Sequence, residues 1–191
     1  MGLVSLRFCI LAVGLLLCGC GQLTELVQYA GTASDAQDRN DRVAALANTG
    51  FAVMPVTGSV SYAGHASVVY AQNGAEVALL GQANVTANFD TGAVAGRVDQ
   101  VFGGSGLSDL QNYAGALTFD GQIGQRRPNS FDATIAGVLT APGRVIAVNG
   151  PLLGDFRGGG AQALVAMTTA QTATTVNGAA VPVRVRIAAE D

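Results

Sequence analysis

The sequence has no lysine, no tryptophan and a single histidine, and its three cysteines all fall within the first twenty residues, at Cys9, Cys18 and Cys20. Each shortage removes a class of chemistry. One histidine without cysteine partners leaves a zinc site short of its usual ligands. Past position 20 there is no thiol, so cysteine nucleophiles and disulfides are excluded there. Charged residues make up only 12% of the chain, and 13 acids outnumber 10 bases, all of them arginine. A net charge of −3 and a pI near 5.0 lack the basic face of a nucleic-acid binder. Proline is scarce, at 5 residues against 26 glycines, which points to tight turns rather than a disordered linker. No apolar run reaches the roughly 20 residues of a membrane-spanning helix.

The one histidine, His65, reads as an exposed residue of a turn, Ala63-Gly64-His65. No nucleophile-elbow motif accompanies it, so a Ser-His-Asp triad has no footing and an enzyme is not expected. Gly158-Gly159-Gly160 lacks the Lys-Ser/Thr of a phosphate loop and reads as a hairpin turn. No cofactor is implied.

The N-terminus carries an address. Arg7 precedes the apolar stretch Phe8–Leu17, and small residues come after it, which is the layout of a secretory signal. Leu17-Cys18-Gly19-Cys20 resembles the bacterial lipobox. The resemblance implies that residues 1–19 are a signal peptide and that Cys20 is acylated and becomes the mature N-terminus. A second or third acyl chain converts reversible membrane binding into stable anchoring. The absence of Asp at position 21, by resemblance to envelope sorting, favours the outer membrane.

Residues 20–49 differ in character from residues 50–191. The densest charge run of the chain, Ser34–Arg42, lies in the earlier segment. Ser34 or Asp35 is placed to cap a short helix through Val43–Leu46, which Gly50 ends. Residues 20–49 read as a lipidated, solvated tether, and residues 50–191 as one domain.

From Phe51 the apolar period is two. One face of Val85–Phe89 is Val, Ala, Phe. One face of Leu117–Ile123 is Leu, Phe, Gly, Ile, and one face of Phe131–Ile135 is Phe, Ala, Ile. These are half-buried antiparallel strands. Turn signals separate them, Asn73-Gly74 and Asn177-Gly178 among them, because Asn-Gly accepts positive φ. Strands are predicted near 57–63, 66–72, 76–89, 92–102, 113–123, 130–140, 144–157, 161–169 and 181–188. Asn149-Gly150-Pro151 is expected to bulge or break the 144–157 strand. Eight to nine short-turned strands indicate an all-β fold, an antiparallel up-and-down barrel of about eight strands or a sandwich. The polar outer faces and few aromatics favour a water-soluble barrel with an apolar interior over a membrane pore.

Three segments carry a family resemblance. Phe89-Asp90-Thr91-Gly92-Ala93-Val94-Ala95-Gly96 is similar to the F-x-T-G-x-V-x-G hairpin of transferrin-binding protein B-like β-barrel domains. Phe131–Gly137 resembles that family's next strand. Asn149–Gly158, with Ala161 after it, is similar to its late G-x-x-x-G-x-F-x-G block. The resemblance spans residues 50–170 and implies a surface lipoprotein with a non-catalytic, partner-binding role. The sequence departs from the family in having one barrel and no handle domain. The late F-Y-G-P-x-A turn reads Phe156-Arg157-Gly158-Gly159-Gly160-Ala161, so transferrin binding does not carry over.

Arg126 and Arg127, in a predicted turn, are the candidate contacts for a protein partner. Arg184 and Arg186 form a basic stripe expected to guard a sheet edge or to pair with acids. The functional expectation is a lipid-anchored binding protein at the cell surface, recognising a macromolecule in iron or haem acquisition. The alternative is a structural outer-membrane lipoprotein facing the periplasm, with no ligand.

Overall fold

The computed structural model describes residues 20–191. Ten strands come after one helix: α1 (Cys20–Ala45), then β1 (Ser59–Gln72), β2 (Ala75–Asn88), β3 (Ala93–Gly104), β4 (Gln111–Ile123), β5 (Ser130–Ala141), β6 (Arg144–Arg157), β7 (Ala163–Thr168), β8 (Ala173–Val176), β9 (Ala179–Ala180) and β10 (Val183–Glu190). Neighbours pair antiparallel in the order β5-β4-β3-β2-β1-β10-β7-β6, and β5 pairs with β6 to close the ring. β7 and β8 lie end to end along β6, and β9 pairs back on β8 ahead of β10. The result is an up-and-down barrel of eight staves, two of them interrupted.

The period-two pattern places every second residue inside. Val68, Leu79, Val98, Leu117, Ile135, Leu139, Ile146, Leu152 and Ile187 are fully buried in one cluster. An eight-stranded barrel is just wide enough for side chains to fill, and here they fill it. Four aromatics gather toward one end. Phe156 is the hub, with ring centroids 5.6 Å from Phe89, 5.6 Å from Phe131 and 6.3 Å from Tyr62. Two glycines make room for rings across the strand pair: Gly96 faces Phe119, and Gly154 faces Phe131. A Cβ at either glycine would fall inside the opposing ring. Aromatics covering glycines on neighbouring staves let the sheet curl tightly without leaving a hole. The three segments that carry the family resemblance supply most of this cluster.

Two strand predictions are corrected. The segments near 57–63 and 66–72 are a single strand, because Gly64-His65 continues the ladder against Ala189-Ala188 instead of turning. Gly64 is required there by close approach, since a Cβ would meet the Ala188 carbonyl and Ala189. The break expected at Asn149-Gly150-Pro151 falls instead in the neighbouring stave. β6 runs unbroken, and residues 169–172 interrupt the stave beside it. Pro151 has no N–H to donate. Its carbonyl points to that gap and accepts from Thr169 N–H (3.3 Å) and Thr172 Oγ1 (2.7 Å).

The last seam, between the β7–β8 stave and the β9–β10 stave, is bridged by hydroxyls. Buried Thr168 Oγ1 accepts from Val185 N–H at 2.9 Å. Thr174 Oγ1 accepts from Val183 N–H at 3.2 Å and donates to the Val181 carbonyl. The Asn-Gly turns are as expected, with Asn73-Gly74 and Asn177-Gly178 both at positive φ.

The helix differs most from expectation. In place of a short helix in a solvated tether, α1 spans 26 residues and lies on the outer wall. Val43 is buried against outward-facing Ala163 and Ala188, with Leu46 and Val165 packed beside them. Tyr29 meets Phe102 at a centroid distance of 5.9 Å near the far end of β3. Tyr29, Ala36 and Val43 are spaced by seven residues, so they share one stripe.

The hydroxyl seam yields a test. Thr168→Val keeps the shape but leaves the buried Val185 N–H without a partner. We expect the free energy of unfolding in urea to fall by about 1–3 kcal/mol, the cost of a buried unsatisfied donor. Unchanged stability would show that the seam does not depend on this hydroxyl.

Candidate binding surface

At one end of the barrel, the turns 89–92, 124–129 and 158–162 gather under residues 46–58, which cross the opening as a cap. The crossing is fastened by main-chain bonds. Thr49 N–H donates to Phe156 O (3.0 Å), Gly158 N–H to Ala47 O (2.8 Å), and Phe89 N–H to Gly58 O (2.8 Å). Buried Asn129 Nδ2 donates to Thr49 O at 2.7 Å, tying the 124–129 turn to the cap. Met54 packs onto the core from above. The cap then turns three large apolar side chains outward: Phe51 is 60% exposed, Val53 55% and Val56 81%. The short 3-10 turn Phe51–Val53 buries none of its own residues.

The candidate contacts Arg126 and Arg127 stand in the turn beside this cap. Both are braced from below. Arg126 Nε donates to Asp132 Oδ1, and its Nη2 reaches the carbonyls of Phe131 (3.4 Å) and Gly154 (3.3 Å). Arg127 Nη2 donates to Asp155 Oδ1 at 2.7 Å. The pairs hold the guanidinium planes in place while both side chains stay partly exposed. The surface is therefore an apolar trio bordered by two fixed cations. Apolar exposure of this kind, rimmed by polar groups, is what protein contact sites present. The sequence singled out the arginines as candidates but not Phe51, Val53 and Val56, whose exposure the apolar composition of the chain concealed.

Cys20 is the first residue of α1. The lipobox residues Leu17, Cys18 and Gly19 lie outside the described residues, as does the signal segment.

His65 is not in a turn. It sits within β1 on the outer face, under α1, where burial and then Arg39 hold its pKa below the usual value. Arg39 Nη1 donates to Ala63 O at 2.5 Å, and Arg42 pairs with Glu190 at 2.7 Å, clamping the helix to the wall. Arg184 and Arg186 do not guard an edge, because β10 is flanked by β1 and β7. Neither forms an ion pair among the described residues. No cluster of metal-ligating side chains occurs among the described residues.

The opposite end is closed by a polar knot rather than a cap. Asp109 accepts from Ser105 Oγ (2.6 Å) and Gln111 Nε2 (3.2 Å) and pairs with Arg144. Arg144, only 14% exposed, also donates to Tyr113 Oη at 3.2 Å. The Ser105 hydroxyl, then the Arg144 guanidinium, hold the Asp109 carboxyl well below the usual carboxylate range. Burial pushes the neighbouring Tyr70 hydroxyl up to about 12. A depressed carboxylate stabilises the fold above its unfolded pKa, about 3.9, and that contribution is lost as pH falls through the folded value. Asp109→Asn is expected to lower stability near pH 7 by about 1 kcal/mol, the scale of a partly exposed charged pair. The gap between thermal melts of mutant and parent should start to narrow below about pH 4 and close as the pH falls on through the folded value. A constant gap across that range would contradict the role of the charge.

No protein-family model matches the sequence. No curated protein matches it either. Solved structures do match in fold. One is the vaccine antigen transferrin binding protein B of Haemophilus parasuis, in a form carrying one substitution. It has 18% identity and a TM-score of 0.52, over 75% of this chain and 28% of that one. A doubly substituted form of the same antigen gives 15% identity and a TM-score of 0.50, over 75% and 27%. The chain thus spans about a quarter of the length of those proteins. With its eight staves closed around one apolar core, the chain folds as a single transferrin binding protein B-like β-barrel.

Proposed function

We propose that this chain is a non-catalytic binding protein of the cell envelope, held to the outer membrane through acyl chains on Cys20, that offers its capped barrel end to a macromolecular partner. The exposed trio Phe51, Val53 and Val56 beside braced Arg126 and Arg127 carries this reading. The interior is filled by its own side chains, so recognition belongs to the outside. The direction of α1 supports it too. The helix begins past the Tyr29–Phe102 contact and ends where Arg157 Nη1 donates to Leu46 O, at the cap. The anchored residue and the cap therefore lie toward opposite ends, and a membrane at Cys20 leaves the cap facing away. The fold shared with transferrin binding protein B makes a partner in iron or haem acquisition, met at the cell surface, the preferred class.

Labelling cells with radioactive palmitate tests the anchor. The parent should take up label and Cys20→Ser should not, while persisting label on the variant would remove the anchor. A photo-crosslinking residue at Val56 should give a discrete high-mass adduct on intact cells, and the same group at Thr134 on the wall should give none. Complete protection of the protein from added protease, or adducts of equal yield at both positions, would contradict a surface-facing cap.

A further inference from the structure

A cleft of about 280 Å³ opens where the first half of α1 crosses β2, β3 and β4. It lies on the wall, away from the cap. Its rim carries four carboxamides, Gln28, Gln82, Gln100 and Asn112, and its floor includes Phe102, against which Tyr29 leans. None of the side chains lining it is charged. The nearest carboxylate in sequence, Asp99, is occupied by Arg97 at 2.7 Å. None of the four carboxamides is engaged in a side-chain hydrogen bond among the described residues, whereas Gln37, Gln111, Asn129 and Asn177 all are.

The backbone beneath is irregular on both sides. The β2–β3 ladder slips between Leu80 and Gln82, and the β3–β4 ladder slips between Val98 and Val101. Bulges of this kind re-aim side chains beside binding sites. Gln100, in the slip, has φ of 51°. The other positive-φ side-chain residues have local reasons: Asn73 and Asn177 make hairpin turns, and Ala161 offers its carbonyl to Tyr62 Oη at 2.6 Å. Gln100 makes no hairpin turn; it lies within β3 at the register slip itself. Its left-handed backbone goes with the bulge, and the bulge brings Gln100 into the lining of the cleft.

We infer that this cleft binds a neutral, hydroxyl-rich saccharide. Carboxamides offer a donor and an acceptor side by side, which matches paired hydroxyls. Aromatic rings offer an apolar face to the C–H side of a sugar ring. The lack of charge leaves nothing to compensate an anionic ligand, and the volume is at the lower bound of small-ligand pockets, about 300 Å³. This saccharide site is independent of the partner surface, since it occupies another face.

The test is titration of the purified full chain with maltohexaose and with chitohexaose, monitored by tyrosine fluorescence and by backbone amide shifts. We expect saturable binding of at least one of them, with shifts confined to residues around Tyr29, Gln82 and Gln100. Gln100→Gly should melt no lower than the parent, because glycine takes positive φ freely. It should nonetheless bind at least about tenfold more weakly. Asn112→Ala should show a similar loss and Val138→Thr, on β5 outside the cleft lining, none. Absence of saturation with both sugars at millimolar concentration would overturn the inference. So would unchanged affinity of Gln100→Gly, or equal affinity for a sulfated hexasaccharide.

Discussion

The barrel depends on a fit between rings and glycines. Eight staves enclose a space that side chains must fill without gap or overlap. Phe119 over Gly96 and Phe131 over Gly154 solve that problem on neighbouring staves, and Phe156 joins Phe131 to Phe89 and Tyr62. Tyr62 then commits its hydroxyl to Ala161 O, so the cluster ends in a satisfied bond. The exterior is set by this closure. A filled cylinder has no interior site, leaves its ends to be capped, and leaves its wall available to a helix.

The two ends are closed by different chemistry. One takes a chain crossing fastened by main-chain bonds and Asn129, which leaves apolar side chains with nowhere to go but outward. The other takes a charged knot centred on Asp109 and Arg144. The wall adds a third element, α1, clamped by Arg39 and Arg42 across β1 and β10. The two sites we propose lie on different surfaces: the apolar end for a macromolecule, and the neutral amide cleft under the helix for a small polar ligand.

The period of two was plain in the sequence because each stave has one apolar and one polar face. Local punctuation was less reliable, for physical reasons. Gly64-His65 looks like a turn, yet the glycine is there to admit the neighbouring strand. Pro151 looks like a strand breaker, yet its missing N–H falls at a gap in the adjacent stave, where its carbonyl accepts from Thr172. The helix was hidden because its contact stripe is Tyr29, Ala36 and Val43, too small and sparse to stand out among the charges of 34–42. Arg126 and Arg127 were visible as a cationic turn, but not the acids that hold them. Gln100 carries no sequence sign of its backbone conformation, which arises only from the register of its two neighbours.

The most direct measurement is a double-mutant cycle on Gly154 and Phe131, read by urea unfolding. Gly154→Ala places a methyl group against the Phe131 ring, so it should be costly in the parent. In a Phe131→Leu background that cost should shrink, giving a coupling of about 1–3 kcal/mol. Costs that simply add would mean that the ring and the glycine do not depend on each other, and that something else sets the closure of the barrel.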